Sequence, residues 1–276
     1  MESQPVFIQV GALADGFAPD SHILPAVGDL AGRTLQLNFP DQSRIEHVFE
    51  TGQDLKWRVH GGSEDGQSGV ASYRATSVRE GIYFVDFIKQ EQRATSVSLV
   101  LDLKRGQFTA VIGTLPSEAE THLDAFSRVG QGLELTAVKA AFAHGTIDRP
   151  LHAGEPLHHV TDELIGLRNL YTYSPTECYE HIYLNDNFYA WQCLDGVEKG
   201  LADADRCHYF KIEEQLYLFV WREKIIPTLG VILIDLARMK TDGKILGYRG
   251  DDFAELSNFP VGAKAQVLNR TEHVPG

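Results

Sequence analysis

The 276-residue chain is predicted to be all-β, with two tandem antiparallel β-barrels produced by an internal duplication. Three observations predict this. The sequence repeats itself at a fixed offset, apolar residues alternate with period two inside each repeat, and too few stretches read as helix for a parallel α/β sheet.

A shift of 134 residues lays Leu30, Gly32, Glu46, His47, Trp57, Tyr83 and Gly113 over Leu164, Gly166, Glu180, His181, Trp191, Tyr217 and Gly247. The texture between these anchors also matches: LAGRTLQLNF lies over LIGLRNLYTY, IEHVFE over YEHIYL, GIYFVDF over QLYLFVW, and SVSLVLDL over GVILIDL. A single-residue gap is expected between Asp102 and Gly113.

Within the first copy, Ile45, His47 and Phe49 alternate with Glu46, Val48 and Glu50. Leu55-Trp57-Val59, Tyr83-Val85-Phe87, Val97-Leu99-Leu101 and Thr109-Val111-Gly113 follow, separated by turn residues such as Thr51-Gly52 and Lys104-Arg105-Gly106. Only Ser117–Phe126 and Asp162–Leu167 read as helix, each for about two turns. Short strands in one sequential antiparallel series escape exposed edges by closing, so each copy is expected to form an up-and-down barrel. The barrels are expected at 1–145 and 151–276, with a linker at His144–Pro156, where Gly, Pro and His cluster.

A net charge of −13 and a pI near 5.3 argue against nucleic acid, whose phosphates require a basic stripe, and against anionic membranes. No window approaches the roughly 20 apolar residues that cross a bilayer, and Met1–Asp20 carries Glu2, Asp15 and Asp20 in place of a basic, then apolar, signal sequence. A cytoplasmic location is expected. Cys178, Cys193 and Cys207 are odd in number and lack CxxC spacing, which fits a reducing compartment. His158-His159 is the only adjacent histidine pair, and neighbours on a strand point to opposite faces, so no metal and no cofactor is expected. A homodimer stays open.

An eight-stranded barrel can be filled or can hold one small ligand. In the second copy Tyr171 and Tyr173 share one strand face, and Tyr179, His181 and Tyr183 share the next. With Tyr189, Trp191, Tyr217 and Trp221 they form either an aromatic pocket with hydroxyl handles or an aromatic core. Glu223, in LFVWREKIIP, and Glu180, beside His181, are carboxyls in apolar surroundings and candidate proton donors or acceptors. Either can equally be an outward, solvated residue. His181, repeated as His47, reads first as part of the shared frame.

The TYSPTECYEHIYLND stretch, the tail DDFAELSNFPVGAKAQVLNRTEH and the doubled layout resemble the molybdenum-cofactor-biosynthesis protein F (MoaF) family over nearly the whole chain. That resemblance implies lipocalin-like (calycin) barrels and, through the family's name, a role around molybdopterin. Each copy also resembles phenolic acid decarboxylase, a cofactor-free barrel enzyme whose pattern runs through Tyr-Thr-Tyr, Tyr-Arg-Ile-His and Trp-Thr-Glu-Pro strands. The second copy offers Tyr171-Thr172-Tyr173 and Trp221-Arg222-Glu223, and has Trp191-Gln192-Cys193 at the arginine segment. The first copy offers Trp57-Arg58-Val59-His60, has Leu37-Asn38-Phe39 for the tyrosines, and aligns Glu91 with the acid only through an insertion.

The leading expectation is a cofactor-independent lyase or isomerase acting on a small conjugated carboxylate-like substrate in the second barrel. Glu223, Tyr171, Tyr173, His181 and Glu180 would carry the chemistry, and Trp191, Gln192, Tyr183, Tyr217 and Trp221 would bind the substrate. The alternatives are a lipocalin-like carrier of a small, pterin-related molecule, and an interaction protein with two filled barrels.

Overall fold

The computed structural model describes residues 6–17 and 20–272, so Glu2 lies outside the described residues. By contacts the chain divides into two compact units. One comprises Leu24–Thr114 and Ala140–His159, and the other Met1–Ile23, Leu115–Lys139 and Val160–Gly276.

The first unit is a closed barrel of β1 (Thr34–Asn38), β2 (Arg44–Phe49), β3 (Asp54–His60), β4 (Ser68–Arg79), β5 (Ile82–Ile88), β6 (Thr95–Asp102), β7 (Gln107–Thr114) and β8 (Lys139–Ile147). Alternation decides its faces. In β3, Leu55, Trp57 and Val59 are buried while Asp54, Lys56 and Arg58 are exposed. Arg58, matched above to the decarboxylase pattern, therefore points away from the lumen.

In the second unit, after β9 (His159–Val160), come β10 (Leu167–Thr172), β11 (Cys178–Tyr183), β12 (Phe188–Asp195), β13 (Ala202–Glu213), β14 (Leu216–Arg222), β15 (Thr228–Asp235), β16 (Lys240–Tyr248) and β17 (Leu256–Arg270). Pairing of β10 with β17 and of β12 with β13 closes β10–β17 into a second barrel. Two tandem eight-stranded antiparallel barrels are thus the architecture of the chain.

The duplication extends to register. Leu37 pairs with Ile45 as Tyr171 pairs with Tyr179, and His47 pairs with Trp57 as His181 pairs with Trp191. Even the bulges match, at Ser77/Arg79 in β4 and at Lys211/Glu213 in β13.

Four local expectations are corrected. The one-residue gap falls in the turn after β5, not between Asp102 and Gly113: Phe87 pairs with Val97 where Trp221 pairs with Gly230, and this offset persists through β7 and β16. Gly113, opposite Ser96, therefore matches Leu246, opposite Leu229, and Gly247 stands one step out of register. The segment read as linker begins inside β8, whose Leu37–Ile147 pairing closes the first barrel. Asp162–Leu167 is not a helix: residues 163–166 form a turn and Leu167 opens β10, with Gly166 at φ 86 and no room for a Cβ beside the Thr271 carbonyl.

The helices are α1 (Val10–Phe17), unforeseen, and α2 (Glu118–Thr121) and α3 (Ala125–Gly130), which break the expected Ser117–Phe126 stretch in two. Asp124 interrupts it as the N-cap of α3, accepting from the Ser127 amide. His158 is buried beside Thr109, whereas its neighbour His159 is exposed. Among the described residues no group of three or more His, Cys, Asp or Glu could hold a metal ion, and no helix is long and apolar enough to cross a membrane.

Candidate functional site

Strand polarity gathers one set of side chains at one end of the second barrel. Tyr173 follows β10, Tyr179 lies at the start of β11, Glu198 follows β12, Asp205 lies near the start of β13, Trp221 lies at the end of β14 and Glu223 just follows it. Because successive strands run antiparallel, all these positions share an end. Phe17 of α1 packs on Tyr173 and Tyr179, with ring centroids 4.7 and 5.7 Å away.

Glu223 is held by its backbone and by one indole. Its amide donates to the Thr228 carbonyl, its carbonyl accepts from Thr136 Oγ1 at 2.9 Å, and Trp221 Nε1 donates to its Oε1 at 2.8 Å. Trp221 has space to do this because Gly230 stands opposite; a Cβ there would lie 2.1 Å from the indole ring. Burial, and then the charges of Asp205 and Glu198, push the Glu223 carboxyl well above the ordinary carboxylate range.

Asp205 accepts from Trp191 Nε1 at 3.0 Å, and Glu198 accepts from the Tyr179 hydroxyl at 3.1 Å. Burial raises both acids too. Lys224 Nζ lies 3.5 Å from Asp205 and 2.5 Å from Asp203, favouring negative charge there. Lys224 thus favours the ionised form of Asp205, while burial and the neighbouring acids favour the protonated form of Glu223.

Tyr173 is buried, its hydroxyl has no hydrogen-bond partner among the described residues, and burial raises its pKa. Tyr171 is satisfied internally: it accepts from Asn169 Nδ2 at 3.0 Å and bonds to the Tyr183 hydroxyl at 2.7 Å, and burial pushes its pKa up to about 12. His181 sits among the rings of Tyr171, Tyr183, Tyr189, Phe219 and Trp221, with centroids 4.9 to 6.2 Å distant. Burial lowers its pKa to about 3, so it is neutral at pH 7.

Three residues singled out in the sequence stand apart from this cluster. Glu180 faces away from His181, pairs with Arg168 (Nη2–Oε2 2.9 Å) and accepts from Gln192, so neither Glu180 nor Gln192 joins the lumen. Arg168 holds the Glu180 carboxyl below the usual range. Tyr217, at the start of β14, donates to Glu163 Oε2 at 2.6 Å at the opposite end of the barrel. Sequence reasoning missed Asp205 and Glu198. Asp205 was legible, since alternation along Asp203-Asp205-Cys207-Tyr209 puts it on the lumenal face; Glu198, in a loop, carries no periodicity.

Fold and site together define a tandem β-barrel protein whose second barrel holds a buried carboxyl among tryptophan and tyrosine rings at one end. The chain belongs to the MoaF family. Residues 5–117 match the MoaF N-terminal domain and residues 158–271 the MoaF C-terminal domain. It is 53% identical over 276 residues to Protein MoaF of Klebsiella aerogenes, covering 99% of both chains. A solved structure from Burkholderia vietnamiensis described as a candidate beta-lactamase aligns over 43% of this chain and 92% of its own, at 12% identity and a TM-score of 0.31, and carries no argument about function.

Proposed function

We propose that the second barrel is an acid/base site for a small conjugated, carboxylate-like molecule, with Glu223 as the proton-transferring group of a lyase or isomerase step. The observation that carries this reading is the Glu223 carboxyl itself. Burial and two neighbouring acids keep it protonated, and the Trp221 indole fixes its orientation. A neutral carboxylic acid in an apolar site can deliver a proton to a conjugated carbon and take it back as a carboxylate. The unpaired Tyr173 hydroxyl is the donor available to the substrate's anionic oxygen.

Decarboxylation in the manner of the phenolic acid enzymes fits less well. Arg222, adjacent to Glu223, faces the other way and holds Glu134 at 2.7 and 3.0 Å, so it cannot neutralise a carboxylate among the lumenal rings. Hydration or isomerisation needs no such cation. The family's name points towards the molybdenum cofactor, which makes pterin-related heterocycles the first substrates to try.

A carrier without turnover is the second reading. It is favoured by the closed Asn169–Tyr171–Tyr183 hydrogen-bond chain, which occupies hydroxyls that a catalytic lumen would leave free.

The test is incubation in D2O with conjugated carboxylic acids, 4-hydroxycinnamate among them, and with pterins, following ultraviolet absorbance and deuterium incorporation at carbon. Wild type should turn over or exchange at least one compound, and Glu223→Gln should lower that rate by about 10²–10⁴ with little change in binding. Tyr173→Phe should weaken binding and rate together. Binding without turnover or exchange would decide for the carrier.

A further inference from the structure

We propose that the first barrel carries a ligand site of its own, a lumenal pocket for a small, flat, largely apolar molecule bearing one anionic group, recognised by Trp57 and Lys89. A cavity of about 330 Å³ opens in this barrel, walled by Leu37, Phe39, Ile45, Trp57 and Phe87, with Lys89 also lining it. That volume falls at the small end of ligand pockets, which span about 300–1,000 Å³. The wall residues end β1 and β5 or open β2, so the cavity lies at the end of the first barrel equivalent to the Glu223 end of the second.

The space has an explanation in the repeat. Leu37 and Ile45 occupy the positions of Tyr171 and Tyr179, and Phe87 that of Trp221. Smaller side chains on an unchanged frame leave room that a barrel of this size otherwise fills.

One buried polar atom in the wall points to a ligand. Trp57 Nε1 has no hydrogen-bond partner among the described residues, though its side chain is only 6% exposed. The corresponding indole of Trp191 donates to Asp205, and Ala71 stands at that position in the first barrel. A buried donor without a partner is uncommon in a finished core and ordinary in a wall that meets a polar ligand atom.

The charge of the site is reversed relative to the second barrel. Lys89 occupies the position of Glu223, and its ammonium lies 4.7 Å above the centre of the Trp57 ring. It is the one cation among the described residues lining the cavity, and it forms no ion pair with a described carboxylate. The lining acids, Asp41 and Glu64, are exposed at the mouth, where solvent and salt screen them. His47 is held neutral, its pKa lowered to about 4 by burial, so recognition of an anion falls to Lys89. Apolar walls with a single cation beside an indole select a flat anion such as an aromatic carboxylate. This site is independent of any chemistry at Glu223.

Fluorescence titration of the full chain tests it with 8-anilinonaphthalene-1-sulfonate, an aromatic anion, and N-phenyl-1-naphthylamine, its uncharged counterpart. The anion should saturate a site that Lys89→Met weakens by about tenfold or more, while the uncharged probe changes by less than about twofold. Ile45→Tyr, which introduces the second barrel's residue, should abolish binding of both; if circular dichroism shows that variant to be misfolded, Lys89→Met decides alone. No saturable binding by wild type, or binding indifferent to both variants, overturns the site. Loss in Ile45→Tyr with no effect of Lys89→Met overturns the assignment of an anionic ligand.

Discussion

The two barrels share register, bulges and the inward His-Trp pair, yet one lumenal end is packed with rings and the other is open. Tyr171, Tyr179, Tyr189, Phe219 and Trp221 in the second stand where Leu37, Ile45, Leu55, Val85 and Phe87 stand in the first. Charge diverges at the same end, with Asp205 and Glu223 in one and Ala71 and Lys89 in the other. Backbone pairing and turn geometry hold a barrel together whatever occupies its interior, so lumenal side chains can change while the frame persists. What is retained, His47/His181 and Trp57/Trp191, belongs to that frame; what differs sets how far each lumen is filled and which charge it carries.

The comparison can be broken most sharply through packing. Phe219 touches the rings of Tyr183, Tyr189, Tyr209 and Trp221 at 5.0 to 5.5 Å, so Phe219→Val, which installs the first barrel's residue, should destabilise by about 2–4 kcal/mol. The reverse change in the first barrel, Ile45→Tyr, enters a cavity and should cost less than about 1 kcal/mol. Urea midpoints measure both. Equal costs would mean that the two interiors are filled alike.

Titration sharpens the comparison with a smaller effect. The folded pKa of Glu223 is raised above its ordinary value of 4.5, so as pH climbs the unfolded chain releases a proton that the folded barrel keeps. Stability is therefore lost from pH 4.5 upward until the folded carboxyl ionises, and Glu223→Gln should remove that decline while Lys89→Met leaves it intact. The histidines act in the other direction. His181 and His47 have folded pKa values lowered to about 3 and about 4, so stability falls as pH drops below 6.5, and replacing either with Phe should flatten that acid limb. Urea unfolding across a pH series reads both slopes, and a Glu223→Gln curve parallel to wild type above pH 4.5 would contradict the raised carboxyl.

Much of this was legible in the sequence, for a physical reason. Period-two alternation and a constant offset are direct consequences of strand geometry, so the barrels, the lumenal tyrosines and tryptophans and the apolar surroundings of Glu223 could all be read. The fate of Glu180 could not, because a carboxyl on an alternating strand fits either face until Arg168 and Gln192 are seen beside it. β8 was hidden by composition, since the small residues of KAAFAHGTI and the following Gly and Pro look like a linker. The open first barrel was present in the repeat as smaller residues at the tyrosine and tryptophan positions. Seeking the counterpart of Glu223 at Glu91, through an insertion, instead of at Lys89 concealed the reversal of charge.

The central claim is that Glu223 keeps its proton at neutral pH, and infrared difference spectroscopy of wild type minus Glu223→Gln across a pH titration tests it most directly. A Glu223 carboxyl raised by burial predicts a protonated C=O band at pH 7 that is absent from the variant and disappears only at higher pH. A carboxylate signal for Glu223 at pH 7, with no protonated band to lose, would contradict it.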